Sequence, residues 1–407
     1  MNYKIIDGSV TCPKGFLASG IHCGVKAGTT KKDLALIYSE VPCTSTGMYT
    51  NNIVKAAPIG ITKEHLSDKK AQAIICNSGN ANCCTGEDGL NKAKLITEEL
   101  AKELNLKSED ILIASTGVIG VPINVDAIVQ GIPNLKKQLS TEGNLDAATA
   151  IMTTDTFKKE CAVEFTIDNK ICRIGAIAKG SGMIEPNMGT MLSFITTDLA
   201  ISPELLDEAL RESVNVSYNR VSVDGDTSTN DTVLILANGL AENPIITEKN
   251  GNYQIFVESL KFITISMAKM LAKDGEGATK LIECTVDGAK TEEEGIIFAK
   301  SVITSSLVKT AMFGADANWG RILCALGYAG LDFEPENVNV YFKSSKGSII
   351  VCKNGASVAF DEDIAKDILL EDEITILIEM GLGSASVTAW GCDLTYDYVK
   401  INGDYRS

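Results

Sequence analysis

"KGSGMIEPNMGTMLSFITTD", residues 179–198, holds two kinds of chain that rarely meet so abruptly. A charged, Gly-punctuated loop with a proline and two methionines runs into Thr190, and from there Met191, Leu192, Ser193, Phe194, Ile195 and Thr196 read as a buried strand. Near-continuous apolar strands are covered on both faces, which requires layers above and below. Similar runs stand at "QAIIC" (72–76), "DILIAST" (110–116), "ICRIGAIAKG" (171–180) and "DTVLILAN" (231–238).

Helical periodicity lies between them. "GLNKAKLITEELAKELN" places Leu90, Ala93, Ile96, Leu100 and Leu104 on one face. "ISPELLDEALRESV" offers Ser202 as N-cap and Pro203 at the first helical position, and a third helix is expected from about Phe256 to Lys273. The alternation follows no regular β-α-β repeat. The expectation is therefore an α/β fold, a layered α-β-β-α sandwich of mixed sheets with a smaller C-terminal α/β domain. The domain boundary is expected near residue 282. It gives a main body of 1–282, completed by 390–407, and a smaller domain of 283–389.

The chain has 407 residues, 53 acidic against 37 basic, for a formal charge of −16. That charge repels phosphate backbones and anionic lipid, so nucleic acid and membrane surfaces are excluded as expected partners. The opening residues lack the pattern of a cleaved leader and no window reaches the roughly 20 apolar residues of a membrane span, so a cytoplasmic location is expected. Twelve cysteines are scattered without a C-x-x-C pair, and the two histidines, His22 and His65, stand apart. No metal site is expected, and the cysteines read as reduced thiols used as small hydrophobes.

So few histidines leave little with which to activate a hydroxyl nucleophile by an imidazole. A threonine can instead use its own α-amine as base, provided the peptide bond before it is cut. Cutting between Gly189 and Thr190 would free an amine of reference pKa roughly 7.7 to 8.0, suited to general base work near neutrality. The Thr190 hydroxyl reaches the preceding carbonyl carbon through a five-membered ring, so it can take over the acyl group as an ester that water then releases. On residues alone, a plainer reading stands beside this one: a threonine opening a strand is commonly there for β-propensity and a turn hydrogen bond. Asp224, Asp226 and Asp231, clustered in "VDGDTSTND", read as loop-capping residues, with lining of a site as the alternative.

The stretch 179–198 resembles the signature of the glutamate N-acetyltransferase/ornithine acetyltransferase family. Further similar blocks are "DLALIYSEVPCTSTGMYTNNIVKAAP", "CNSGNANCCTG", "STGVIG", "AIMTTDTFKK", "VDGDTSTNDT", "FGADANWGRI" and "WGCDLTYDYVKINGDYRS", in family order over nearly the whole chain. The resemblance implies an acyltransferase of arginine biosynthesis that cleaves itself between Gly189 and Thr190, giving an α chain of 1–189 and a β chain headed by the nucleophile Thr190. It implies ping-pong transfer of acetyl from N2-acetyl-L-ornithine to L-glutamate, with the oxyanion held by Thr116 and Gly117. Substrate-binding positions carried over are Thr153, Lys179, Thr190, Glu276, Asn402 and Ser407. A cation at Lys179 suits the substrate's carboxylate, and a carboxylate at Glu276 suits the side-chain ammonium of ornithine. An α2β2 heterotetramer is implied, with no cofactor and with acetyl-CoA as an optional second acetyl donor. Gly189 and Gly403 stand where the family usually has alanine. The alternatives are a self-cleaving amidase or aminopeptidase of similar architecture, and a non-catalytic binding protein.

Overall fold

The structure, a computed structural model, describes residues 2–185 and 191–403. The chain divides into two compact units, one of residues 1–180, 186–219 and 227–267, the other of 181–185, 220–226 and 268–407.

The first unit carries strands β1 (Tyr3–Ile6), β2 (Phe16–Ile21), β3 (Leu34–Tyr49), β4 (Lys70–Asn80), β5 (Ile111–Val118), β6 (Lys159–Ile167), β7 (Lys170–Lys179), β8 (Leu192–Thr197) and β9 (Thr232–Ala237). Its helices are α1 (Ala57–His65), α2 (Gly86–Leu104), α3 (Val125–Lys137), α4 (Asn144–Ile151), α5 (Pro203–Asn215) and α6 (Gly251–Lys273). All nine strands form one mixed sheet in the order β1-β6-β7-β8-β9-β3-β4-β5, with β2 on β3. It folds over itself at β3. Residues 34–38 of β3 pair with β2 and β4, whereas residues 44–49 pair with β9, and the register breaks between Tyr38 and Cys43 around Pro42. A proline cannot donate to the ladder and is tolerated at such a bulge.

The two halves face each other across a core that includes Ile37, Ile74, Cys76, Leu112, Ile177, Leu192, Phe194 and Leu234, with α4 inserted through Ala147, Ala148 and Ile151. Helices α2 and α3 cover the outer face of one half through Ala93, Ile96, Leu100, Ile128 and Ile132, packed on Leu34, Ile75 and Ile113. On the other half, α6 sets Phe256 against Phe165 of β6, with ring centroids 6.3 Å apart, and Thr264 donates to the Ser213 carbonyl of α5. This is the expected α-β-β-α layering. Every residue of β8 and β9 is buried because each alternate face meets a layer, as the unbroken apolar runs required. The capping expectation at α5 also holds, the Leu205 amide donating to Ser202 Oγ and Pro203 opening the helix.

The second unit builds a six-stranded mixed sheet in the order β13-β12-β11-β14-β10-β15. Its strands are β10 (Leu281–Ala289), β11 (Asn339–Ser344), β12 (Gly347–Lys353), β13 (Ala356–Ser357), β14 (Glu373–Glu379) and β15 (Ala385–Cys392). Helices α7 (Glu292–Thr304), α8 (Ser306–Phe313), α9 (Trp319–Gly327) and α10 (Glu362–Leu369) contribute Phe298, Met312, Ile322 and Ile368 to its core. A last helix, α11 (Tyr396–Asn402), follows β15.

The division differs from the expected one at residue 282. It falls within α6, after Met267, and residues 390–403 belong to the second unit. The reason is pairing: β15 runs antiparallel to β10 from Leu281 opposite Cys392 to Ala289 opposite Ala385. Residues 220–226 join the same unit through the Ser222 amide, which donates to the Trp390 carbonyl at 2.9 Å.

Phe194 is 1% exposed within the inter-sheet core. Phe194→Ala is expected to cost about 3–5 kcal/mol, the range for removing a buried aromatic, seen as a lowered midpoint of denaturant unfolding.

Candidate active site

Parallel strands β4 and β5 end together, with Ser78 level with Thr116 and Gly79 level with Gly117. The backbones then cross closely. Gly117 has φ +133, and a Cβ there would fall 2.3 Å from the Gly79 carbonyl carbon; Gly79 itself, at φ +96, lies under the Lys26 side chain. Only glycine meets both demands. Polar side chains brace these strand ends: Ser115 Oγ donates to Asn77 Oδ1 at 2.6 Å, and Asn230 Nδ2 donates to the carbonyls of Ala81 and Ser115, each at 2.7 Å. Thr116 thus stands at the end of a strand whose geometry is fixed from several sides.

Lys179, the last residue of β7, comes to the same place. Its Nζ donates to Thr153 Oγ1 at 2.9 Å and to Thr116 Oγ1 at 3.4 Å, with the residue only 7% exposed. The structure therefore brings together Thr116, Thr153 and Lys179, and sets Gly117 beside Thr116. Because both hydroxyl oxygens accept from one ammonium, the proton of each remains free to be donated onward.

The lysine is held in turn by Asp155. This carboxylate is wholly buried; it accepts from Lys159 Nζ at 2.7 Å, from the Gly180 amide at 2.7 Å and from the Thr153 amide at 3.0 Å, and lies 4.0 Å from Lys179 Nζ. Burial works against its charge, but Lys179 and Lys159 outweigh that and draw its carboxyl from an ordinary 3.8 to about 2. A second brace comes from Lys26, whose Nζ donates to the Met152 carbonyl at 2.8 Å, next to Thr153.

Ladder register carries the site toward position 190. Leu192 of β8 pairs with Lys179 on one side and with Thr232 of β9 on the other, and the Thr232 amide donates to the Met191 carbonyl at 3.0 Å. Gly189, Thr190 and Ser407 lie outside the described residues. Both histidines are engaged elsewhere, His22 Nδ1 at 3.1 Å from Asp33 and His65 Nδ1 at 2.7 Å from the Ile111 carbonyl oxygen.

In the second unit, Glu276 and Asn402 come together. The Asn402 amide donates to Glu276 Oε2 at 2.7 Å, and the Glu276 backbone amide donates to the Ser181 carbonyl at 2.8 Å. Glu276 is 8% exposed, and its carboxyl lies flat on Gly182, where a Cβ would be 2.3 Å from Cδ. Asp224 caps a turn as expected, accepting from the amides of Met183 and Ile184 at 2.6 and 2.8 Å. Asp231 is 1% exposed and its Oδ2 takes no hydrogen bond. The twelve cysteines are free thiols.

The ArgJ family profile matches residues 17–407. The chain belongs to the ArgJ family. Among its relatives, the arginine biosynthesis bifunctional protein ArgJ of Caldanaerobacter subterraneus subsp. tengcongensis is 51% identical over 404 residues, 99% of this chain and 100% of that protein. The Bacillus subtilis protein of the same description is 47% identical over 403 residues, covering 99% of this chain and 97% of the other. A solved structure of an ornithine acetyltransferase complexed with ornithine, from Mycobacterium tuberculosis, is 33% identical with a TM-score of 0.43, covering 46% of this chain and 99% of that one.

Asp155, Lys159 and Lys26 are site residues that the sequence reading missed. "MTTDTFKK" has the composition of a solvated loop, and the only signal available was an Asp and a Lys four residues apart. The depressed carboxyl of Asp155 has a consequence for acid stability. Its contribution is fully present above the unfolded-state value of 3.8 and is lost as pH falls through about 2. A loss of about 2 kcal/mol is expected across that window. Asp155→Asn should be less stable at neutral pH and should lack this acid step in unfolding measured against pH.

Proposed function

We propose that this member of the ArgJ family is an ornithine acetyltransferase, moving acetyl from N2-acetyl-L-ornithine to L-glutamate on Thr190. The observation that carries the reading is Lys179 donating to both Thr153 and Thr116 at the end of β5, one ladder step from the strand that Thr190 precedes. In this reading the chain first cuts itself between Gly189 and Thr190, which supplies the α-amine that both histidines are too far committed to replace.

The α-amine of Thr190 takes the proton of its own hydroxyl as Oγ attacks the acetyl carbonyl carbon. The Thr116 hydroxyl, polarised by Lys179, and the Gly117 amide donate to the oxygen that becomes negative. The tetrahedral adduct collapses, the ammonium returns its proton to the departing α-nitrogen of ornithine, and acetyl remains as an ester on Thr190. Glutamate's amine then attacks that ester through the same adduct in reverse, giving N-acetylglutamate. Lys179 and Thr153 hold the substrate carboxylate. Glu276, whose side-chain partner is the neutral amide of Asn402, has its charge left for the ornithine ammonium. Ser407 completes the substrate contacts. No resident cofactor enters the scheme; acetyl-CoA is a candidate second donor to the same hydroxyl. An α2β2 assembly of cleaved chains and a cytoplasmic location belong to the same reading. Among the described residues, no single helix is long and apolar enough to cross a membrane.

The test follows labelled acetyl. Incubation with N2-acetylornithine and glutamate should yield labelled N-acetylglutamate with parallel-line kinetics, and omission of glutamate should leave the label on the fragment beginning at residue 190. Free acetate formed at the same rate with or without glutamate would instead mark a hydrolase. Thr116→Ala is expected to lower kcat by about 10²- to 10³-fold, as for one lost oxyanion donor. Lys179→Met is expected to lower kcat/KM roughly tenfold to a hundredfold, the range for a hydrogen bond to a charged group.

A further inference from the structure

One buried amide side chain holds the backbone on both sides of Thr116 and Gly117. Asn230 is 8% exposed, and its Nδ2 donates to the Ser115 carbonyl and to the Ala81 carbonyl, each at 2.7 Å. An atom that meets two carbonyl oxygens is the nitrogen of the amide, so both of its protons are committed and its orientation is settled. Oδ1 accepts from Thr229 Oγ1 at 2.7 Å, which fixes the other end. The backbone of the residue is anchored as well: the Asn230 amide donates to Ser228 Oγ at 3.1 Å, and its carbonyl accepts from Thr232 Oγ1 at 2.9 Å.

The two carbonyls have particular places. That of Ser115 shares a planar peptide with the Thr116 amide, so holding it sets the plane from which Thr116 departs. That of Ala81 belongs to the residue whose amide donates to the Val118 carbonyl at 3.0 Å, directly after Gly117. Gly117, at φ +133, therefore lies between two peptides that trace to one side chain, the first by a direct bond and the second by way of Ala81. A glycine has more backbone freedom than any other residue, so restraint from outside matters most there. Ala81 and Ser115 are each 2% exposed, which leaves water little access to take over either bond.

We infer that Asn230 is a positioning residue for acetyl transfer: by pinning the Ser115 and Ala81 carbonyls, it keeps the Thr116 hydroxyl and the Gly117 amide aimed at one point, where the acetyl oxygen gains its charge. The inference rests on the acetyl-transfer reading given above. Oxyanion donors act because they are already oriented when charge develops, and donors that must first be gathered lose that advantage. Lys179 reaches Thr116 through its hydroxyl. Asn230 reaches it through the backbone, and by the same contacts bears on Gly117. In this role Asn230 touches no substrate. Its effect falls on the step that forms the oxyanion and not on the binding of ornithine, which carries no acetyl group.

The experiment compares wild type, Asn230→Ala, Thr116→Ala and the double variant in acetyl transfer from N2-acetylornithine to glutamate. Rates are expressed per cleaved chain, counted by intact mass, with far-ultraviolet dichroism as a check on folding. Folded Asn230→Ala should lose about 10- to 10²-fold in kcat, the scale of a misplaced oxyanion donor. Its dissociation constant for ornithine, read by calorimetry, should stay within about twofold, because that ligand does not engage the donors. Placed on Thr116→Ala, the same change should cost about fivefold or less, since residues of one network are not additive. A kcat within about twofold of wild type would overturn the inference. So would an equal loss with and without Thr116, or an ornithine constant weakened as much as kcat falls, since either marks general loosening of the fold. If wild type moves no acetyl to glutamate, it is the acetyl-transfer reading that falls, and this role falls with it. Should Asn230→Ala fail to fold or stay uncut, Thr229→Val decides. It removes the hydroxyl that fixes Oδ1 and leaves both Nδ2 bonds their partners, so kcat should fall about threefold to tenfold with the ornithine constant unchanged; an unchanged kcat would overturn the assignment.

Discussion

The geometry of the site depends on a carboxylate that would not survive in its position alone. Asp155 has no solvent exposure, and an isolated charge so placed would lose far more hydration than the fold can return. It is tolerated because two lysines and two backbone amides converge on it. Those four contacts come from the turn after α4, the start of β6 and the end of β7, so satisfying one charge fixes three pieces of backbone. Lys159 sits closest and neutralises the carboxylate; Lys179, at 4.0 Å, is attracted without being consumed. Its directed bonds are left for Thr153 and Thr116. A merely solvated lysine at the end of β7 would have no fixed direction, and the two hydroxyls would have nothing to align them.

The same reasoning separates what sequence could reveal from what it could not. The buried strands β7, β8 and β9 were legible because both faces are covered and the apolar run is unbroken; the start of α5 was legible because Ser202 and Pro203 carry local, chemically specific signals. β3 was harder to read. Its sixteen residues contain a proline and several polar side chains, and its continuity comes from pairing with β2, β4 and β9 in succession, which no local pattern encodes. The unit boundary was misplaced for a related reason. A long helix gives no compositional break at Met267, and the allegiance of β15 is set by its ladder with β10.

At the site, Thr116, Gly117, Thr153 and Lys179 were reached through family resemblance, and three of them share hydrogen bonds in the fold. Gly117 had an independent physical reason to be glycine, but that reason is the approach of Gly79 from another strand, invisible until the strands are laid side by side. Asp155 and Lys159 were illegible because a buried ion pair and an exposed i,i+4 pair have the same spacing. Asp224 and Asp231 were read alike, as caps with lining of a site as the alternative, because "VDGDTSTND" has the composition of a turn; within it, Asp224 does cap and Asp231 is buried at the head of β9.

Two buried carboxyls that feel the same lysine illustrate how environment alone sets the direction in which each is pushed. Asp155 has Lys179 and Lys159 beside it and two amides, and is pulled down to about 2; Asp231 has burial, an oxygen without a hydrogen bond and a more weakly felt cation, and is pushed up. In a chain with two histidines, both bound elsewhere, a base for a hydroxyl has to come from carboxyls, a lysine or whatever amine the backbone can release. Thr190 is the position at which such an amine and a hydroxyl would be covalently joined, so the chemistry requires no imported base. What it does require is a fixed set of donors, which the crossed ends of β4 and β5 hold, and a fixed register for the strand that follows, which β7 and β9 set for β8.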